Sequence, residues 1–182
     1  MNLTVERPSA AVSCPGHDGR IVAVCISAGG VPKRPVSVAN VTLRGIAGDH
    51  HAHEKHNRHD RAVSLFDVET LRQLVQEGFS LEPGTAGENL TVEGLHVQRL
   101  PPGTLLQIGE LLLRLEQPRK PCYVLDAIDP ALKDAICGRC GYMASVLRGG
   151  TIRAGMLVQR VEDPTLMQLS ENPAEAPENE DG

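Results

Sequence analysis

Residues 104–116 read TLLQIGELLLRLE, and this stretch decides the fold that the sequence predicts. Two apolar runs, residues 104–108 and 111–116, flank the short turn sequence Gly109-Glu110, so we expect a β-hairpin. Further short strands separated by turns rich in glycine and proline are predicted at residues 21–27, 41–46, 61–66, 88–92, 95–100, 141–147 and 156–161. Their frequency indicates a mainly β domain, either a barrel or a sandwich.

Helices are few and short in this reading. Residues 68–77 carry apolar side chains at helical spacing, with Asp67 as the expected N-cap and Gly78 just past the end. A second helix is expected at 131–136, where Pro130 suits a first helical position, and a single turn at 123–127.

Composition excludes several classes of protein. A net charge of −5 and an aromatic content of 2%, without Trp, argue against a nucleic-acid-binding surface. No apolar run approaches the roughly 20 residues needed to cross a bilayer, and no signal peptide is visible. Five cysteines, an odd number, do not suggest a disulfide framework. We therefore expect a cytoplasmic protein that binds neither membrane nor nucleic acid.

Domain boundaries follow from composition. Residues 1–18 are polar and irregular and are expected to form an N-terminal arm. Residues 19–163 are expected to form one β domain, and residues 164–182 a disordered acidic tail rich in Pro and Glu.

Immediately after the hairpin comes Arg119-Lys120-Pro121-Cys122. Neighbouring cations favour the thiolate, which is the form of cysteine that attacks sulfur or binds a soft metal. Proline restricts the backbone before the thiol. The alternative is an ordinary half-buried cysteine, since free cysteines are often buried.

Three other motifs leave alternatives open. Lys33-Arg34 lies between prolines and is either a solvated loop or an anion-binding loop. Five histidines within residues 50–59 suit a polar loop better than zinc, because no second ligand pair is evident. Cys137 and Cys140, two residues apart, are either a coincidental pair or one with a redox or metal-binding role.

Several stretches, in order, resemble one family. They are Gly48-Asp49-His50, Arg61-Ala62-Val63, residues 83–95 with the sequence PGTAGENLTVEGL, Ile108-Gly109, Arg119 with Pro121-Cys122, and Val146-Leu147 to Gly150. Together they resemble the MOSC domain, the C-terminal module of molybdenum cofactor sulfurases, in its small stand-alone bacterial form. Asn57-Arg58 departs from the Gly-Gly that many small members carry there.

The resemblance implies a fold and a site. The fold would be a closed Greek-key-like β-barrel of the MOSC and pyruvate-kinase-barrel-like kind, with a few short helices. Cys122 would be the catalytic residue and molybdenum ligand. The resemblance implies cofactor-binding residues at Lys33, Arg34 and Arg119, as anion contacts, and at Asp49, His50, Glu88 and Asn89, in the pocket wall. Glu88 and Asn89 are alternatively structural, fixing a turn through bonds to the backbone.

Three functions are consistent with that resemblance. The protein could hold the molybdenum cofactor (molybdopterin) on Cys122 and reduce N-hydroxylated substrates with electrons from a separate reductase. It could instead be a sulfur carrier that takes a persulfide on Cys122 from a cysteine desulfurase, since no pyridoxal phosphate site is visible in this chain. It could also be a non-catalytic module that binds an anion or pterin. The sequence does not separate these alternatives.

Overall fold

The computed structural model describes residues 18–49 and 59–161, and the structural statements below concern these residues. They contain eleven strands and two α-helices. In chain order these are β1 (Gly19–Ile26), β2 (Arg34–Val36), β3 (Ala39–Thr42), β4 (Gly45–Ile46), β5 (Val63–Asp67), α1 (Val68–Gln76), β6 (Leu90–Glu93), β7 (Leu105–Ile108), β8 (Leu111–Pro118), α2 (Leu132–Ala135), β9 (Tyr142–Arg148), β10 (Gly150–Ile152) and β11 (Leu157–Val161). Short 3-10 turns lie at His59–Arg61, Val97–Arg99 and Tyr123–Ala127.

Seven of these strands close into a barrel. Their order is β11-β7-β8-β9-β5-β6-β1, and β1 pairs back with β11 to complete the ring. The start of β1 pairs with β11 through Gly19 and Val158, while its end pairs with β2 through Val24 and Val36. Strands β10, β3 and β4 form a separate small sheet. The closed barrel with few short helices is confirmed, and the sandwich alternative is wrong.

The predicted hairpin is present at residues 104–116. β7 and β8 pair antiparallel, with Ile108 opposite Leu111 across the turn. The one parallel pair among these barrel strands is β5 with β6, and α1 lies in the connection between them. Parallel neighbours need such a crossover, because a two-residue turn cannot return the chain in the same direction.

Aliphatic side chains fill the barrel. Leu106, Leu113 and Leu115 are fully buried in its core, and residues alternate between buried and more exposed along β8. A second apolar cluster lies beneath the helices and contains Phe66, Leu74, Leu132, Ile136 and Cys140. At roughly 25 cal/mol per Å² of buried apolar surface, these two clusters supply the main driving force for folding.

Two predicted strands differ from the structure. Residues 41–46 were expected to be one strand, but they form the hairpin of β3 and β4, with Thr42 opposite Gly45. Residues 95–100 were also expected to be extended, yet a 3-10 turn occupies Val97–Arg99 after His96, whose φ is 51°. A left-handed residue interrupts the strand conformation that the apolar pattern favours.

Asp67 occupies the N-cap position of α1, as the sequence predicts, but it does not cap the helix with its side chain. Its side chain makes no capping bond, and its Oδ1 instead accepts a hydrogen bond from the Val97 N–H at 3.0 Å. Burial raises the pKa of the Asp67 carboxyl, and backbone N–H groups of Val97 and Gln98 oppose that shift. The carboxylate therefore fixes the 3-10 turn to the end of β5.

Some predictions fall outside the described residues. These are the arm up to residue 17, the tail from residue 164, and His50 with most of the histidine-rich segment. Within the described ranges, neither helix has the length and apolar character that a transmembrane segment requires.

We predict that Gly141→Ala destabilises the barrel far more than Gly138→Ala. Both glycines have positive φ, 84° and 76°, so alanine is strained at either position. A Cβ at Gly141 would also lie 2.0 Å from the carbonyl oxygen of Leu65, whereas at Gly138 it meets nothing within 4 Å. We expect a loss of about 1–2 kcal/mol at Gly138 and at least about 3 kcal/mol at Gly141, measured by chemical denaturation. Equal losses would contradict the close approach.

Candidate functional site

A small polar pocket of about 80 Å³ lies beside β5 and β9. It is lined by Lys33, Arg61, Ser64, Gly87, Asn89, Arg119 and Met143. Ser64 comes from β5 and Met143 from β9, and the others come from connections between strands. Three cationic side chains therefore line a space whose wall is otherwise neutral.

Lys33 is buried and paired. Its Nζ donates to Oδ2 of Asp49, and the two side chains are 8% and 3% exposed. The other carboxylate oxygen of Asp49 accepts the N–H of Ser27 at 2.9 Å. Removing either charge would leave the other buried without its counter-ion. The pair joins the end of β1 to the connections before β2 and after β4.

Asn89 connects that ion pair to the barrel. Its Nδ2 donates to Asp49 Oδ2 at 2.8 Å and to the Cys25 carbonyl at 3.2 Å. Its Oδ1 accepts the hydroxyl of Ser64 at 3.0 Å and the Ser64 N–H at 3.2 Å. One amide side chain thus bonds to β1, to β5 and to the buried pair, which makes it structural as well as part of the pocket wall.

Glu88 fixes a turn and does not line the pocket. It is fully buried, and its Oε1 accepts the Gly84 N–H at 2.7 Å and the Thr91 hydroxyl at 2.9 Å. Its Oε2 has no hydrogen-bond partner in the part of the chain that the structure describes. Glu88 therefore acts on the pocket by holding the segment that carries Ala86 and Gly87.

The Arg119 side chain bonds both to that segment and to the segment that precedes β9. Its Nη2 donates to the Ala86 carbonyl at 2.9 Å and its Nη1 to the Cys140 carbonyl at 3.4 Å. Both acceptors are backbone oxygens, so no carboxylate among the described residues neutralises this guanidinium through an ion pair. Its charge is available to an anion in the pocket.

Arg61 supplies a second cation. Its Nε is buried and makes no hydrogen bond within the described residues, and the nearest carboxylate contact is Asp60 Oδ2 at 3.9 Å. A buried donor without an acceptor is costly, by about 1–3 kcal/mol, unless a ligand or solvent satisfies it. An acceptor for Arg61 Nε would therefore have to come from a group other than the described residues.

Cys122 lies at the surface and is not among the residues that line this pocket. The thiol side chain is exposed, and the residue precedes the 3-10 turn Tyr123–Ala127 in an extended conformation. Arg119, three residues earlier, lines the pocket. Arg34 is exposed on β2, outside the lining. The structure therefore brings Lys33, Asn89 and Arg119 to one pocket, with Asp49 bonded behind it.

Two other cysteines are buried. Burial, together with the charge of Glu88, raises the pKa of the Cys25 thiol to about 12, although Lys33 opposes the shift. Burial also raises the pKa of the Cys140 thiol, although Arg119 opposes that shift. Neither thiol can supply thiolate near neutral pH, whereas Cys122 and Cys137 are exposed.

Sequence reasoning did not assign Arg61, Ser64, Gly87 and Met143 to the site. Arg61 lies in one of the stretches that resemble the MOSC domain, but no local pattern distinguishes it from a surface arginine. Its one signal is a charged residue two positions before a fully buried strand, residues 63–67. Ser64 and Met143 belong to strands paired at that position, so only the barrel register brings them together.

Comparison with known proteins finds a matching family model and similar curated proteins. A family model described as "MOSC domain" matches residues 48–159. The chain is 31% identical over 142 residues to "Protein YiiM" of Escherichia coli, covering 71% of this chain and 63% of that protein. It is 31% identical over 130 residues to "Reductase" of Gibberella moniliformis, covering 66% of this chain and 23% of that protein.

A solved structure shares the fold. The crystal structure of YiiM from Geobacillus stearothermophilus matches with a TM-score of 0.66 and 26% identity, covering 79% of this chain and 75% of that one. The chain spans less than two thirds of the length of the two curated relatives above.

We predict that Asp49→Asn strongly destabilises the fold. The substitution leaves the buried Lys33 ammonium without its counter-ion, which we expect to cost about 3–5 kcal/mol in the free energy of unfolding. Arg20→Gln is the control, because Arg20 is an exposed member of a surface ion pair with Glu93 and should matter much less. Chemical denaturation compares the two, and equally small effects would contradict a buried, interdependent pair.

We also predict that cysteine reactivity divides by burial. In the native protein at pH 8, iodoacetamide should modify Cys122 and Cys137, while Cys25 and Cys140 should react only after unfolding. Peptide mapping by mass spectrometry reads each site separately from Cys14, which lies outside the described residues. Native labelling of Cys25 as fast as of Cys122 would show that the barrel wall is not closed there.

Proposed function

The chain belongs to the MOSC domain family, and from that premise we propose that it holds the molybdenum cofactor and reduces N-hydroxylated substrates. The observation that carries the proposal is the pocket lined by Arg61 and Arg119, with an exposed thiol at Cys122, three residues after Arg119 in the chain. A relative named "Reductase" supports an oxidoreductase role.

The residues present fit the cofactor's anionic end. The unsatisfied Nε of Arg61 and the guanidinium of Arg119 are hydrogen-bond donors suited to phosphate oxygens. A volume of about 80 Å³ suits a phosphate-sized group and not a whole pterin, so the remainder of the cofactor would lie outside this pocket. Ser64 and Asn89 provide neutral polar contacts in the wall.

Cys122 would supply the metal ligand. A thiolate is a suitable ligand for a soft, high-valent metal, and exposure lets the sulfur reach a group bound alongside. The bound molybdenum would supply the two-electron reduction of the N–O bond. The protein's own contribution is to hold the anionic end, present one sulfur, and keep Lys33 and Asp49 neutralised within the wall. Electrons would come from a separate reductase.

A second candidate, a sulfur carrier, is favoured by the exposure of Cys122. A persulfide on an exposed cysteine can be received from a desulfurase and passed on without rearrangement of the barrel. Incubation with a cysteine desulfurase and cysteine, followed by intact mass spectrometry, tests this role. An added sulfur on Cys122 in protein that takes up no molybdenum would favour the carrier over the reductase.

We predict that Cys122→Ser abolishes stoichiometric molybdenum retention in protein from a molybdenum-replete host. Arg61→Gln and Arg119→Gln should each weaken retention about tenfold or more, because each removes a charged hydrogen-bond donor. Arg34→Gln is the matched control, since Arg34 is exposed and outside the pocket lining, and it should retain wild-type metal. Elemental analysis measures the metal, and reduction of an amidoxime by a chemical electron donor measures activity.

Equal molybdenum in the wild type and Cys122→Ser would remove the ligand assignment. A loss in Arg34→Gln as large as in Arg61→Gln would place the anion elsewhere.

A further inference from the structure

The side chain of Gln98 joins the 3-10 turn Val97–Arg99 to the segment that precedes β9. Its Oε1 accepts the N–H of Gly141 at 2.9 Å, 43 residues away in sequence. The turn itself is tied to the end of β5, because the Asp67 carboxylate accepts the Val97 N–H at 3.0 Å. Gln98 is not among the residues that line the pocket, so any effect it has there must pass through the residues it bonds to.

Arg119 bonds to both peptide groups that flank Gly141. Its backbone N–H donates to the Gly141 carbonyl at 2.8 Å, and its Nη1 donates to the Cys140 carbonyl at 3.4 Å. The Cys140 carbonyl and the Gly141 N–H belong to one peptide group. That group accepts from Arg119 at its oxygen and donates to Gln98 at its N–H, so the three residues form a continuous chain of hydrogen bonds.

Gly141 leaves this peptide group free to rotate unless something else holds it. Its φ is 84°, and glycine populates positive and negative φ about equally. A side chain cannot restrict the backbone here, because a Cβ would lie 2.0 Å from the Leu65 carbonyl oxygen. Rotation of the peptide group would turn the Cys140 carbonyl away from Arg119. The bond from Gln98 opposes that rotation.

The same bond strengthens the carbonyl as an acceptor. Hydrogen bonds in a chain polarise one another, by about 10–30% per bond. The contact from Arg119 Nη1 to the Cys140 carbonyl, at 3.4 Å, is longer than the usual range of about 2.7–3.2 Å. It therefore depends on the orientation and polarisation of that carbonyl more than the 2.9 Å bond from Nη2 to Ala86 depends on its own acceptor.

The turn keeps its place without the Gln98 side chain. The Leu100 carbonyl accepts the Tyr142 hydroxyl at 3.0 Å, which is a second bond from this part of the chain to β9. The Asp67 carboxylate holds the other end of the turn. A change at Gln98 should therefore release one peptide group and leave the barrel folded.

We propose that Gln98 is a positioning residue for the Arg119 guanidinium, which it orients by fixing the Cys140–Gly141 peptide group. The Ala86 carbonyl holds one side of that guanidinium, and the Cys140 carbonyl holds the other. The importance of this role for ligand binding rests on the proposed function, in which Arg119 binds the anionic end of the cofactor. Gln98 itself touches neither the pocket nor the anion.

The test measures the affinity of the full chain for inorganic phosphate by isothermal titration calorimetry at constant ionic strength. Gln98→Met keeps a side chain of similar length but replaces the amide with a thioether, which is a weak acceptor. We expect it to weaken phosphate binding about three- to tenfold. Gln98→Glu keeps an acceptor oxygen for the Gly141 N–H and should recover most of the lost affinity. Arg99→Gln, an exposed change in the same turn, is the matched control and should bind as the wild type does.

Amide hydrogen exchange, followed by NMR, reports the positioning without any ligand. The N–H groups of Gly141 and Arg119 should be protected in the wild type and should exchange faster in Gln98→Met. The Val97 N–H, which is bonded to Asp67, should keep its protection in both. If the wild type binds neither phosphate nor molybdenum, the anion-binding role of Arg119 fails, and the exchange rates still decide whether Gln98 holds the peptide group.

Unchanged exchange at Arg119 in Gln98→Met would overturn the proposal, as would unchanged phosphate affinity in that variant when the wild type binds phosphate. Equal losses in Gln98→Met and Gln98→Glu would also overturn it, because they would show that Gln98 acts through packing and not as an acceptor. Should Gln98→Met fail to fold, rapid exchange of the wild-type Gly141 N–H would by itself remove the bond on which the proposal rests.

Discussion

The buried ion pair between Lys33 and Asp49 constrains the whole site. Two charges withdrawn from water are stable only with close contact and further hydrogen bonds, and Asn89 and the Ser27 N–H provide these. Because Asn89 also bonds to β1 and β5, the requirement to satisfy one buried carboxylate fixes the relative position of two barrel strands. The hydrogen bonds that satisfy the buried Asp49 carboxylate therefore also fix the wall of the pocket.

The turn before β6 positions both Arg119 in the pocket and the chain that leads to the Cys122 thiol. Glu88 holds the Gly84 N–H, and the same turn offers the Ala86 carbonyl to Arg119. Arg119 then reaches the Cys140 carbonyl and leads the chain to Cys122. A fully buried glutamate therefore positions a cation and, through it, a surface cysteine. The exposed thiol lies at the surface, while the residues that position it are buried.

Local patterns in the sequence predicted some of this structure. The hairpin at 104–116 depends on neighbours in the chain, so its apolar alternation and turn residues suffice. Asp67 matches the N-cap pattern, but its carboxylate accepts a hydrogen bond from Val97, thirty residues away. The residues next to the helix in sequence do not reveal this bond. The same limit applies to Arg61 and Met143, which meet only because β5 and β9 are paired. Lys33 and Asn89 were foreseen as pocket residues, but the burial of the Lys33 charge requires a partner sixteen residues away.

The seam between β1 and β11 has a consequence for how the chain is made. On one edge of β1, Gly19 and Arg20 pair with Val158 and Leu157, at the opposite end of the domain. During synthesis the ring must stay open until almost all of it has left the ribosome, since contacts so distant in sequence form late. Until then, half of one edge of β1 has no hydrogen-bonded partner strand. Nascent chains stalled before residue 157 should therefore be the form of this protein most in need of a chaperone.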